Sequence, residues 1–246
     1  MADRDLPAAM ADRLIAAVDV PTIAQARALI EQLDGTVSFF KIGLWLAFAP
    51  GVDGLIHDLV TSGKRVFLDA KMYDIGKTVE EGVARAADRG VSMLTVHGDA
   101  RIMESAVKGK RGANLKIMAV TVLTSLSDAD LRDMGYALDA EALVRLRVKH
   151  AVQYGCDGII ASAHDNPDGI RAAASAPGLL IATPGIRGAD DPGDDHARMA
   201  TPADAIARGA DYLVVGRPIV AHPNPAERAH AIVAQMEEGA RRRAGG

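Results

Sequence analysis

Asp69, Lys71 and Asp74 crowd into "FLDAKMYDIGKT" (67–78), directly behind an apolar run. Charges so close to an apolar run can be a solvated loop, a nucleotide-binding motif ending in GKT, or a catalytic array. In an extended chain the period of two puts Asp69 and Lys71 on the same side, with Asp74 in the loop that follows. Lys41, near the end of "SFFKIGL" (38–44), supplies a second cation. Two readings stay open: ion pairs closing the end of the fold, or an alternating Lys–Asp–Lys–Asp row around a reacting carbon. Desolvating four charges is expensive if only stability is gained, which adds weight to the second.

Two further stretches look built for an anion. "TPGIRGADDPGDDHARMATP" carries Arg187, and "VVGRP" carries Gly216 and Arg217. Arginines donate charge-assisted hydrogen bonds, and a glycine lets the backbone approach a phosphate closely. The alternative is two solvated arginines beside Gly-rich turns. The "IGKT" at 75–78 imitates the end of a P-loop, yet Lys71 stands where that motif needs its first glycine. No G-x-G-x-x-G follows the first apolar run, so the fingerprint of a dinucleotide cofactor is missing. The acidic "ADDPGDDH" lacks the alternation and terminal Glu of a calcium loop and reads as a solvated, mobile loop. No H-E-x-x-H or close H-x-H pair occurs, and no metal is expected. His57, His150, His222 and His230 read as surface residues, and His97 as a structural imidazole or an orienting group.

Something must bring these residues to one place. Eight candidate strands run along the chain, at 14–20, 38–44, 65–71, 92–98, 115–123, 158–163, 179–186 and 212–219. Their continuous Val/Ile/Leu runs suit strands buried on both faces of a parallel sheet. Helical patterns such as "TIAQARALIEQL", "TVEEGVARAADRG" and "EALVRLRVKHAVQYG" lie between them, several ending in Gly as a left-handed cap. Eight βα units without a linker predict an α/β fold, a closed (β/α)8 TIM barrel forming a single domain over 1–246, with flexible ends at about 1–12 and 240–246. An open sheet with one misread strand is the alternative. In such barrels the chemistry sits at the C-terminal strand ends. Those ends read Asp19, Lys41, Asp69 with Lys71, His97, Thr124 with Ser125, Ser162, Arg187 and Arg217.

Composition narrows the partners. At 49% hydrophobic and 24% charged, the 246 residues can bury a sizeable core. A net charge of −4 leaves no basic footprint, so a nucleic-acid partner is not expected. The single cysteine, Cys156, rules out an internal disulfide and reads as a small core residue. No apolar run approaches a membrane span, and the N-terminus lacks a signal-peptide core, which predicts a cytoplasmic protein.

On these residues the chain resembles the bacterial orotidine 5′-phosphate decarboxylases over nearly its whole length: "AVDV", "FKIGL", "FLDAKMYDIGKTV", "TVLTS", "TPGIR" and "VVGRPI". The specific part is D-x-K-x-x-D followed by I-x-x-T. The resemblance implies a homodimer acting on a small molecule, orotidine 5′-phosphate, in the last step of de novo UMP synthesis, without a cofactor. It implies that Lys71 donates the proton to C6 and that Asp69 lies beside the substrate carboxylate. Asp74 would come from the neighbouring subunit, with Ile75 and Thr78 lining the neighbour's site. Asp19 and Lys41 would bind ribose hydroxyls, Thr124 and Ser125 would face the pyrimidine, and Arg187, Gly216 and Arg217 would hold the phosphate. One departure stands out: His196 occupies the place of a usual Gln in the loop before "ATP". Two rival activities remain at this stage. One is a Mg²⁺-dependent sugar-phosphate lyase or decarboxylase of the hexulose phosphate synthase type, and the other a barrel that only binds a phosphorylated ligand.

Overall fold

Runs such as "LKIMAV" and "YLVV" have no polar face to offer water, and they are satisfied by a sheet covered on both sides. The computed structural model describes residues 4–188 and 199–245. Its strands are β1 (Leu14–Ala17), β2 (Phe39–Gly43), β3 (Arg65–Met72), β4 (Met93–His97), β5 (Lys116–Val120), β6 (Gly158–Ile160), β7 (Leu180–Thr183) and β8 (Tyr212–Val215). Each pairs in parallel with the next, and β8 pairs with β1, so the sheet closes into a barrel. The helices are α1 (Ile23–Gln32), α2 (Leu44–Ala47), α3 (Val52–Thr61), α4 (Gly76–Asp88), α5 (Ala100–Gly109) and α6 (Asp128–Asp133). They continue with α7 (Ala140–Tyr154), α8 (Pro167–Ala173), α9 (Pro202–Ala207), α10 (Arg217–Val220) and α11 (Pro225–Ala244). Local chemistry sets several ends. Thr22 and Asp139 accept N–H bonds at the starts of α1 and α7. Gly155 stops α7 at φ 76°, a conformation a side chain would resist.

The strands divide their residues by alternation. Ile15, Phe39, Phe67, Met93, Met118, Leu180, Tyr212 and Val214 fill the barrel interior. Leu14, Phe40, Ile42, Leu68, Leu94, Ile117 and Leu213 face out and join the larger core under the helices. Phe39, Phe40 and Phe67 are fully buried, each worth roughly 1.5–3 kcal/mol. Two residues above Phe39, Phe67 and Met93 on the inward face stand Lys41, Asp69 and Thr95. A polar layer therefore caps the apolar one, at the C-terminal end of the barrel.

The opposite end is closed by two aspartates in matching roles. Asp157, just before β6, accepts the Ile117 N–H of β5 at 2.8 Å and pairs with Lys110. Asp211, just before β8, accepts the Ile181 N–H of β7 at 2.8 Å and pairs with the buried Arg171. Cys156, beside the first of these, is buried, and burial pushes its thiol up to about 12, leaving it protonated and inert.

Expectations about strand extent are corrected. The first, fifth, sixth, seventh and eighth strands end at Ala17, Val120, Ile160, Thr183 and Val215, short of 20, 123, 163, 186 and 219. The apolar run continues past β8 as α10, where Pro218 cannot donate to a ladder. At the C-terminus, where a loose tail is expected from about 240, α11 runs on to Ala244, tied by Arg243 to Asp168 at 2.8 Å.

Candidate active site

Four alternating charges form a continuous row across the barrel mouth. Asp19 Oδ1 lies 3.0 Å from Lys41 Nζ. Lys41 Nζ lies 3.6 Å from Asp69 Oδ2, and Asp69 Oδ1 lies 2.8 Å from Lys71 Nζ. The members come from consecutive strands: Asp19 just beyond β1, Lys41 on β2, and Asp69 with Lys71 on β3. Asp69 is only 14% exposed. Burial alone would raise its pKa, but the charges of Lys71 and Lys41, with hydrogen bonds from Lys71 and Thr95, outweigh that and hold it below the ordinary value. Asp69 is thus ionised at neutral pH.

Simple alternation does not deliver Lys71 to this row. β3 and β4 run in register at Leu68 and Leu94, yet Met72 pairs with Val96, so four steps on β3 match two on β4. The surplus is taken up in a bulge where Lys71 adopts φ 43°. That left-handed conformation disfavours any side chain, and bulges beside sites serve to re-aim one. The bulge is held by Thr95 of β4, fully buried, which accepts the Lys71 N–H at 2.9 Å and donates to Asp69 Oδ1 at 2.8 Å.

Asp74 stands outside the row within its own chain. It lies in the turn before α4, and its carboxylate accepts the Ile75 N–H at 2.6 Å. Among the described residues no ion pair joins it to Lys71; the fourth charge of the row is Asp19. Ile75 and Thr78 are exposed at the start of α4, Ile75 at 74%. Thr124 and Ser125 are exposed in the loop after β5, with Thr124 on the wall of the cavity above the row.

Beyond the seventh strand, Arg187 is half-buried, its backbone N–H bonded to Ala200 O at 3.0 Å and its guanidinium to Ile186 O at 2.9 Å. Arg217 opens α10 and is exposed. Gly216 abuts the row: a Cβ there would lie 3.4 Å from Asp19 Oδ2. His196 falls outside the described residues. His97 bonds Asp99 at 2.8 Å and stacks edge-on against Tyr73, a structural use of the ring. Ser162 caps the 3-10 turn Ala163–Asp165.

Sequence reading missed two contributors. Thr95 lies two residues inside its strand, where threonine passes for an ordinary β-former; its place on the inward face, between Met93 and His97, was the available signal. Gly43 leaves the space that the Asp19–Lys41 pair fills, since a Cβ on it would come within 2.8 Å of Asp19 Oδ1.

A cavity of about 170 Å³ opens over Lys41, Asp69 and Lys71, its far side made by Phe67, Val120, Ile160 and Val214. Two wider grooves, about 460 and 400 Å³, open around Arg4, Lys116 and Arg65 on the barrel's other end. Neither carries the alternating charges, so the smaller cavity is the candidate site. Lys41 is nearly buried and Lys71 partly open to solvent, and two ammonium groups beside apolar walls suit the stabilising of developing negative charge.

A sequence model of the orotidine 5′-phosphate decarboxylase / HUMPS family matches residues 12–232. The orotidine 5′-phosphate decarboxylase of Caulobacter vibrioides is 49% identical over 226 residues, 91% of this chain and 97% of that one. That of Afipia carboxidovorans is also 49% identical, over 92% of this chain and 94% of its own. In three dimensions, the crystal structure of orotidine 5′-phosphate decarboxylase from Lactobacillus acidophilus superposes with a TM-score of 0.80 at 31% identity, covering 92% of this chain and 99% of that one.

Proposed function

The chain belongs to the orotidine 5′-phosphate decarboxylase / HUMPS family, and from that premise we propose a cofactor-free decarboxylation of orotidine 5′-phosphate to uridine 5′-phosphate in which Lys71 returns the proton to C6. The enzyme is of the carboxy-lyase kind that its relatives' names describe, serving pyrimidine nucleotide synthesis. The observation that carries the reading is the alternating row Asp19–Lys41–Asp69–Lys71.

The bond from C6 to the carboxylate breaks, carbon dioxide departs, and the electron pair stays on C6 in an orbital the ring cannot delocalise. The Lys71 ammonium, held at 2.8 Å by Asp69, faces that charge and gives up one N–H to form the new C6–H bond. Water then reprotonates the amine. Asp69 lies beside the departing carboxylate, and its ionised state adds repulsion in the ground state that vanishes as neutral carbon dioxide leaves. Asp19 and Lys41 hold ribose hydroxyls, Thr124 and Ser125 face the base, and Arg187, Gly216, Arg217 and His196 take the phosphate. That remote anchor contributes binding energy that positions the base over Lys71.

The working unit in this reading is a cytoplasmic homodimer in which Asp74, Ile75 and Thr78 complete the neighbour's site. Support comes from Asp74, which is not spent on its own Lys71, and from an apolar surface at the same end of the barrel. There Leu44, Trp45, Phe48, Tyr73 and Ile75 are exposed, Phe48 at 81%.

The test mixes the protein with orotidine 5′-phosphate in EDTA and follows loss of substrate absorbance. Full turnover under chelation is expected and separates this activity from a Mg²⁺-dependent sugar-phosphate lyase. Lys71→Ala should abolish turnover while uridine 5′-phosphate still binds; near-normal turnover in that variant would sink the assignment, and binding without turnover by the unaltered protein would favour a barrel that only holds its ligand.

A further inference from the structure

A threonine hydroxyl sealed inside a barrel must find partners. Thr95 is fully buried, and both of its partners belong to the site on the next strand: the Lys71 N–H, which it accepts at 2.9 Å, and Asp69 Oδ1, to which it donates at 2.8 Å. The N–H in question sits at the crest of the β3 bulge, where Lys71 is left-handed at φ 43° and the register against β4 has slipped. A hydroxyl is the smallest group able to accept from that amide and donate to that carboxylate at once.

We infer that Thr95 is a positioning residue for the reaction: its hydroxyl pins the Lys71 backbone in the left-handed turn and aims the Asp69 carboxylate, so that ammonium and carboxylate meet in one fixed geometry over the substrate carbon. The inference rests on the activity proposed above and adds to it the group that sets the acid's direction. Thr95 does not touch the substrate. It acts through Lys71 and Asp69, and displacement of a reacting group by about 1 Å costs up to about 100-fold in rate.

Thr95→Val keeps the shape and removes both hydrogen bonds; Thr95→Ser keeps both and removes the methyl. Each is assayed for kcat and KM across pH and for backbone hydrogen exchange over residues 69–74. In Thr95→Val, kcat should fall about 10- to 100-fold with KM little changed. The acid limb of its kcat profile should move to higher pH, because Asp69 loses a donor that favours its ionised form. The Lys71 amide should exchange faster. Thr95→Ser should restore all three. Should Thr95→Val fail to fold, Thr95→Ala carries the same readings. A valine variant with unaltered kcat and unaltered Lys71 protection would overturn the inference, as would equal impairment of the valine and serine variants, which points to methyl packing. An unaltered protein without turnover would instead defeat the decarboxylase reading, while the exchange comparison would still decide whether Thr95 pins Lys71.

Discussion

A Cβ on Gly43 would come within 2.8 Å of Asp19 Oδ1 and 3.2 Å of Lys41 Nζ, so the first link of the charge row occupies space that a side chain at residue 43 would contest. Gly43→Ala should therefore displace the carboxylate and raise KM about tenfold, the worth of one charge-assisted hydrogen bond, with kcat less affected. Steady-state kinetics check it; an unchanged KM would show that Asp19 has room to move. Asp69 makes a prediction about pH. Its folded pKa lies below the ordinary 3.8, so its ionised form contributes stability that is complete above that value. The contribution fades only as pH falls from 3.8 toward the lower folded value. Urea melts of the protein and of Asp69→Asn should differ by a constant amount above about pH 5, with the unaltered protein losing ground below 3.8.

Among the elements, the strands carry the site and the feet of the strands carry the stability. Asp211 is fully buried, takes the Ile181 N–H and pairs with Arg171, itself 5% exposed. Asp211→Ala removes one of the two carboxylates that Arg171 pairs with, leaving Asp168 at 3.1 Å, and should cost about 3–5 kcal/mol by denaturant unfolding, with the mouth of the barrel untouched. A loss under about 1 kcal/mol would mean that Asp168 alone suffices for the buried guanidinium. The strand pattern was legible because burial on both faces leaves only Val, Ile, Leu and their like in each run, and the same runs point to the rim. What alternation could not convey was the bulge. Reading β3 with a period of two puts Asp69 and Lys71 together for the wrong reason, since the slipped register and the left-handed turn depend on a hydroxyl from β4. Nearness in sequence drew attention to Asp74, whereas within one chain it is barrel closure that sets Asp19 beside Lys41, 52 positions before Lys71 in the numbering.

At the scale of the whole molecule, the apolar surface and the site share one end of the barrel. Trp45 and Phe48 lie in and beside α2, and Tyr73 and Ile75 lie in the turn after β3, all more than half exposed. In the proposed dimer a second copy covers them and Asp74 of each chain serves the other's Lys71. Sedimentation should show a dimer, and Phe48→Glu should yield a monomer with little activity. The sharper check mixes Lys71→Ala with Asp74→Ala. Exchange of subunits should restore turnover that neither variant has alone, because one site in each hybrid then contains both wild-type groups. A mixture as inactive as its parents would place Asp74 at its own chain's site.

Lys71 holds its place in a backbone conformation that disfavours any side chain by roughly 1–2 kcal/mol. Glycine is the residue this bend prefers. Lys71→Gly should accordingly be more stable than Lys71→Ala by about 1 kcal/mol, though both are inactive, and thermal melts of the two settle it. The same comparison has a meaning for descent. A lineage released from the need for this reaction would have no reason to keep lysine there, and the first mark of its retirement would be a sturdier, idle barrel with glycine at position 71.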